Sequence, residues 1–288
     1  MDAYLIPAVD GVAYGLLLFV VAAGLTLAFG VGDVLNLAHG TLFAFGAYAA
    51  AKLSDGSWVS LALAVLVGTA AAGGGGALLS AMLVPISGRG HLAQALLTFG
   101  VALVVGDLLV AVFGADDLLV RVPAALDKPV DLLGHSYPGY RLAFLGVAAL
   151  IAIALSIVVA RTRVGSLIRA TVDDRDMVAM LGVNPVVVRT GVLAGAGALA
   201  GLAGALGAPI IGPGPGTANL VLLLSLVVVV LGGLGSIGGA LVAAIAVGEI
   251  QTVGVTIAPT LAPFALFGAM AIALAARARG LLPSGRSA

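Results

Sequence analysis

The chain has 288 residues, of which 61% are hydrophobic and 9% charged, with 42 glycines, no cysteine and zero formal net charge. A soluble domain carries about 25% charged residues, so this composition excludes an ordinary soluble fold and belongs to the membrane class. The lack of cysteine excludes disulfides, thiol chemistry and Cys-based metal sites, and a neutral chain offers no electrostatic case for nucleic acid.

The placement of the charges is decisive. Between Arg189 and Arg277 the one charge is Glu249, and Gly11–Gly32, Gly56–Gly88 and Leu142–Ala160 carry none. Crossing hydrocarbon takes roughly 20 such residues in helical form. In chain order the apolar segments are Gly11–Gly30, Leu37–Lys52, Trp58–Leu83, Leu92–Phe113, Leu142–Ala160, Thr190–Ile211, Asn219–Leu231, Ile237–Val253 and Ala258–Ala276. Lipid requires backbone groups to pair within each segment, and no alternation of apolar and polar residues supports a β-barrel. The expected fold is an all-α integral membrane protein, one domain over residues 1–288. It is a polytopic bundle of about eight to ten transmembrane segments with broken or re-entrant helices, because three segments are short. Met1–Asp2 lacks the basic opening of a cleavable signal, so the first run, Val12–Phe29, is expected to stay as a helix.

Arginine placement sets the orientation. The loop 161–189 holds Arg161, Arg163, Arg169, Arg175 and Arg189, and the tail holds Arg277, Arg279 and Arg286; both are assigned to the cytoplasm. The mixed-charge loop 115–140 is then external and either packs on the membrane surface or meets a partner. The N-terminus lies outside if Leu37–Lys52 crosses fully, and inside if it does not. Gly73–Gly76 either loosens its helix or serves close packing.

Three stretches carry functional information. In the cytoplasmic loop, Ser166–Thr171 reads as a helical turn. Asp173 or Asp174 can cap a second short helix ending at Leu181, with Gly182 as its stop. The expected knob shows Leu167, Ile168, Met177, Val178 and Leu181 on one side, either for a groove on a cytosolic partner or for the lipid headgroups. In the second stretch, Phe29–Gly40, Asp33, Asn36 and His39 lie between two apolar segments, where Gly30, Gly32 and Gly40 permit a break. Polar side chains at such a break either cap freed backbone groups or line a solute path. A lone His39, with His91 and His135 distant in sequence, makes a poor metal site. The third stretch, Val230–Leu241, is a glycine-rich break holding Gly232, Gly233, Gly235 and Ser236. Glu249 follows roughly two-thirds of the way across the next segment at 1.5 Å per residue, and is expected to be protonated or bonded to a neighbouring helix. Asp107, within Leu92–Phe113, is a carboxyl of the same kind. The two breaks, one in each half, hint at a diverged internal repeat.

These features resemble, in order, the permease subunits of the branched-chain (hydrophobic) amino-acid ABC importer family. The resemblance rests on Gly24-Leu-Thr-Leu-Ala-Phe-Gly-Val31 with Asn36-Leu-Ala-His-Gly40, on Thr98–Gly100, on Val164-Gly-Ser-Leu-Ile-Arg-Ala170 with Met180-Leu-Gly-Val183, and on Gly232–Ser236. It spans about Gly15 to Gly280. The loop departs from the pattern in two ways: Gly-Ser-Leu-Ile stands where Gly-Arg-Ala-Ile is usual, and Asp173, Asp174 and Asp176 make it more acidic.

The resemblance implies a multi-pass subunit of the bacterial plasma membrane, working with two cytoplasmic ATP-binding subunits, a second permease chain and an external solute-binding protein. Gly165, Ile168, Arg169, Asp173, Asp174, Leu181 and Gly182 would couple to the ATPase. Asn36, His39, Gly40, Thr98, Gly232, Gly233, Gly235, Ser236 and Glu249 would form the path or its helix breaks. No phosphate-binding G-x-x-x-x-G-K-[ST] loop occurs, so the chain is expected not to be an enzyme, with ATP and magnesium held by the partner subunit and no cofactor of its own. The alternative is an ion-coupled secondary transporter or channel. That class normally shows a relay of intramembrane carboxylates, whereas Asp33, Asp107 and Glu249 are scattered.

Overall fold

The computed structural model describes residues 2–32, 34–132, 134–233 and 235–278. Asp33, Arg279 and Arg286 lie outside the described residues. The chain opens with α1 (Asp2–Gly32), α2 (His39–Leu53) and α3 (Trp58–Leu83). A 3-10 turn (Val84–Arg89) leads into α4 (His91–Phe113). The stretch that follows holds α5 (Ala124–Asp127) and the hairpin β1 (Pro129–Leu132) and β2 (His135–Pro138). Then come α6 (Gly139–Arg161), α7 (Arg163–Asp173), α8 (Arg175–Met180), α9 (Pro185–Ile211), α10 (Thr217–Gly232) and α11 (Ile237–Glu249). A π-helical turn (Ile250–Gly254) joins α11 to α12 (Val255–Ile257), and α13 (Ala262–Ala278) follows.

Helical segments occupy all nine apolar stretches marked out by the sequence. Among the described residues six helices are long and apolar enough to cross a membrane, and Thr217–Gly232 and Ala262–Ile272 are shorter apolar helices. The ends differ for local reasons. The ninth segment starts at Ala262 rather than Ala258, because Ala258 precedes Pro259 and takes a non-helical backbone with φ −145°. The sixth starts five residues early, at Pro185. There Asn184 caps it, its Oδ1 accepting from the Val186 amide at 2.9 Å, and proline at the first position already has a helical φ.

Two observations close the topology. Arg141, at the start of α6, pairs with Asp10 of α1 at 2.7 Å, so the N-terminal end of α1 lies on the same side as the 115–140 stretch. Ser54, after α2, donates to the Arg121 carbonyl of that stretch at 2.6 Å, so α2 ends on that side too. The start of α1 is therefore on the side opposite the 161–189 segment. The external stretch packs down on the bundle: Leu118 donates to the Pro213 carbonyl at 2.8 Å, and the Tyr137 hydroxyl donates to Asp10 at 2.7 Å. Burial and the Asp10 carboxylate hold the Tyr137 hydroxyl well above the usual tyrosine range, so it stays a donor.

The core is formed by α1, α2 and α9, with α3 and α10 packed on them. Glycine makes this possible where α2, α3 and α9 meet. A Cβ on Gly68 would lie 2.7 Å from the Gly46 Cα, and one on Gly201 would lie 2.5 Å from the Gly68 carbonyl oxygen. Three backbones thus touch at one point, closer than any side chain allows. The Gly73–Gly76 run serves the same purpose: α3 continues through it unbroken, Gly76 abuts the Leu193 carbonyl, and Gly73 faces Ala194 and Ala198. By contrast α4 is peripheral, with only Gln94, Thr98 and Leu109 buried.

Candidate functional site: helix breaks and a cytoplasmic knob

The cytoplasmic knob is built on the end of α6. Thr162 caps α7, its Oγ1 accepting from the Gly165 amide at 3.2 Å while donating to the Val158 carbonyl at 2.6 Å. Gly165 lies against the carbonyls of Val158 and Val159 with no room for a side chain. One turn on, the Arg169 guanidinium donates to the Val159 carbonyl. The Val158 carbonyl also accepts the Thr162 amide at 3.2 Å, and Arg169 supplies a donor to the Val159 carbonyl, so together these contacts tie the start of α7 to the end of α6. Arg169 is therefore in part an internal fastener.

Asp174 caps α8, accepting from the Met177 amide at 2.8 Å, and Asp173 is the exposed last residue of α7. The helix ends at Met180, with Leu181 as its C-terminal cap and Gly182 turning the chain at φ +83°. The single apolar side expected from the sequence divides in two. Leu167 and Ile168 pack inward on Val188 and Val192 of α9 and Leu27 of α1, and Val178 is buried. Met177 and Leu181 stay exposed, joined by Met180 at 81% and by Val164 and Val172. Amphipathic spacing alone does not say which half of a two-helix knob the bundle covers.

The first break is the non-helical stretch 34–38. Asn36 is buried, and its Oδ1 accepts from the Ala38 amide at 3.1 Å. His39 opens α2 fully buried, with Nε2 3.0 Å from the Val21 carbonyl; a nitrogen facing a carbonyl oxygen must carry the proton. From α4, Thr98 Oγ1 accepts from the Leu37 amide at 3.1 Å and donates to the Leu35 carbonyl at 2.9 Å. Gly40 departs from its expected part in opening the break. It sits in the first turn of α2 and allows the Ala218 carbonyl of α10 to approach. Gly30 likewise lies within α1.

At the second break Gly232 ends α10 within 2.5 Å of the α11 backbone, as measured from its missing Cβ, and Gly233 and Gly235 take φ +99° and +81°. Ser236 Oγ caps α11, accepting from the Gly239 amide at 3.1 Å.

The knob and the second break come together on the last turn of α1, a few residues before the first break. From Gly30, the position of an added Cβ is 3.5 Å from Val172 Cγ2 of α7 and 3.7 Å from the Gly235 Cα. Val172 was missed in the sequence reading, although it lies four residues after Ile168 on an amphipathic helix. Gln94 was missed as well; it is buried on α4 one turn before Thr98, and a lone glutamine in an apolar run gave it away. Glu249 does not join this group. It lies at the outer end of α11 beside Gly11, where the π-helical turn begins. Asp107 is on the exposed side of α4. Among the described residues no three His, Asp or Glu side chains gather as metal ligands.

A groove of about 590 Å³ runs between α3 and α9, lined by Val65, Leu66, Thr69, Gly73, Ala198 and Leu202 among others.

A bundle of long apolar helices with two unwound segments and a two-helix knob packed on the last turn of α1 is that of a multi-pass membrane protein. The branched-chain amino acid transport system / permease component family matches residues 8–275, and the chain belongs to it. It is a membrane component of ABC-type transport, a class that works with ATPase partners. No curated protein and no solved structure matches the chain.

Proposed function

We propose that this chain imports branched-chain or other small aliphatic amino acids or amides across the bacterial plasma membrane, using ATP hydrolysed by two cytoplasmic subunits. A second permease chain completes the pore, and an external binding protein delivers the solute. The observation that carries this reading is the contact of Val172 with Gly30, next to Gly235. Any push on the α7–α8 knob is delivered to the last turn of α1, just before the first unwound segment and beside the second. A rigid α1 then relays it outward, a two-state element biased by nucleotide.

The exposed Met177, Met180 and Leu181 supply the apolar contact for an ATPase groove, and ATP and magnesium stay on that partner. The groove between α3 and α9 supports an aliphatic cargo, since its walls are almost wholly apolar. Asn36, His39 and Thr98, with Gly40 behind them, and the Gly232–Ser236 turn line or hinge the path. Glu249 marks its outer end.

Purification of the tagged chain from its native membrane in mild detergent tests this. ATP-hydrolysing subunits should accompany the wild type and be lost from Met180→Asp/Leu181→Asp. A chain that purifies alone, or a variant that keeps the subunits, would overturn the reading.

A further inference from the structure

We propose that Thr98 is a positioning residue, a reversible latch through which α4 sets the conformation of the unwound segment before α2 and thereby the orientation of Asn36. This rests on the transport reading above. Elsewhere α4 is held mainly near its outer end, where Leu109 packs against Ala44 and Tyr48 and the Phe113 ring stacks on Tyr48 at 4.8 Å, with Leu97, Val101 and Ala102 partly buried between. At the inner end Thr98 is fully buried, and its single hydroxyl engages both backbone groups flanking Asn36: the Leu37 amide at 3.1 Å and the Leu35 carbonyl at 2.9 Å. The Leu37 amide also reaches the Leu35 carbonyl at 3.2 Å, so Thr98 braces a tight turn with residue 36 at its apex. Asn36 Nδ2 is buried without a partner, and so is Oε1 of Gln94, one turn from Thr98 on the same face of α4.

The hydroxyl also has somewhere to go. Ala95, three residues back on α4, offers its carbonyl to the same proton at 3.1 Å. A hydroxyl has one proton and donates to one acceptor at a time. Thr98 therefore has two satisfied states, one gripping the Leu35 carbonyl and one retracted onto its own helix. Release does not strand the donor, which is what a reversible grip requires. Sliding or rotation of α4 during the cycle selects between them.

The test compares Thr98→Val, which keeps the shape and loses the hydroxyl, with Thr98→Ser, which keeps the hydroxyl, in the complete transporter in vesicles. Thr98→Val should assemble, while uptake per ATP falls about five- to tenfold, as loss of this bonded pair implies. Thr98→Ser should restore that ratio to within about twofold. If Thr98→Val does not assemble, hydrogen exchange of the Leu37 amide in the wild-type complex decides, and should rise on going from the resting to the nucleotide-trapped state. Wild-type coupling in Thr98→Val, failure of Thr98→Ser to rescue, or equal Leu37 protection in both states would overturn the latch. Nucleotide-independent uptake by the wild type would instead remove the transport reading beneath it.

Discussion

Replacing Gly165 by alanine adds one methyl group where α7 crosses the end of α6. That methyl would sit 2.5 Å from the Val158 carbonyl oxygen and closer still to that of Val159. Ordinary contact begins near 3.5 Å, so α7 must retreat by about 1 Å. Overpacking of this kind costs roughly 1–3 kcal/mol, opposed by up to about 1 kcal/mol from alanine's better helix propensity. The net, about 1–2 kcal/mol, falls on one junction, because α7 is largely exposed and can lift while the bundle stays intact. Lifting it also pulls Arg169 from the Val159 carbonyl and Val172 from Gly30. Gly165→Ala should therefore insert and bind its ATPase, yet lose solute-stimulated ATPase activity and uptake by about five- to thirtyfold, the factor that 1–2 kcal/mol represents. Gly165→Pro, which also deletes the amide bonded to Thr162, and Arg169→Glu, which sets a carboxylate against a carbonyl, should abolish coupling. Both activities are read in vesicles carrying the complete transporter. Unchanged stimulation in Gly165→Ala would refute the reasoning.

Gly201→Leu should destroy the crossing of α2, α3 and α9 and lower the detergent melting temperature sharply, since several side-chain atoms must enter a space too small for one. Asp174→Ala removes the cap of α8; a loss of about 1 kcal/mol should appear as faster amide exchange over 175–180 and weaker ATPase retention, with melting of the bundle unchanged. Tyr137→Phe deletes a donor to Asp10. A cost of about 1 kcal/mol should raise protease sensitivity of the β1–β2 hairpin while uptake chemistry in the core is untouched.

Much of this architecture is legible in the chain because hydrocarbon imposes simple rules. Uncharged runs had to be helices, and those helices are present. Asp174 and Gly182 could be read as the two ends of α8 because a cap and a left-handed stop are local events. Burial was not legible. The membrane-spanning helices are apolar all round, so no periodicity distinguishes the covered face of α1 from the open faces of α4. Gly40 was misread for a related reason: glycine breaks a helix in one setting and admits a neighbouring carbonyl in another, and only the approach of α10 decides. The approach of Val172 and Gly235 to Gly30 joins residues from three distant parts of the chain, which no motif encodes. The side of the N-terminus likewise waited on long-range pairs, Asp10 with Arg141 and Ser54 with Arg121.

The most direct test follows labelled leucine, isoleucine and valine into sealed vesicles holding this chain, with ATP or ADP on the cytoplasmic side and with or without the co-purifying ATPase. Uptake that needs both ATP and that subunit, and that the three solutes mutually inhibit, is the predicted result. Movement of solute by the purified chain alone, indifferent to nucleotide, would contradict the account.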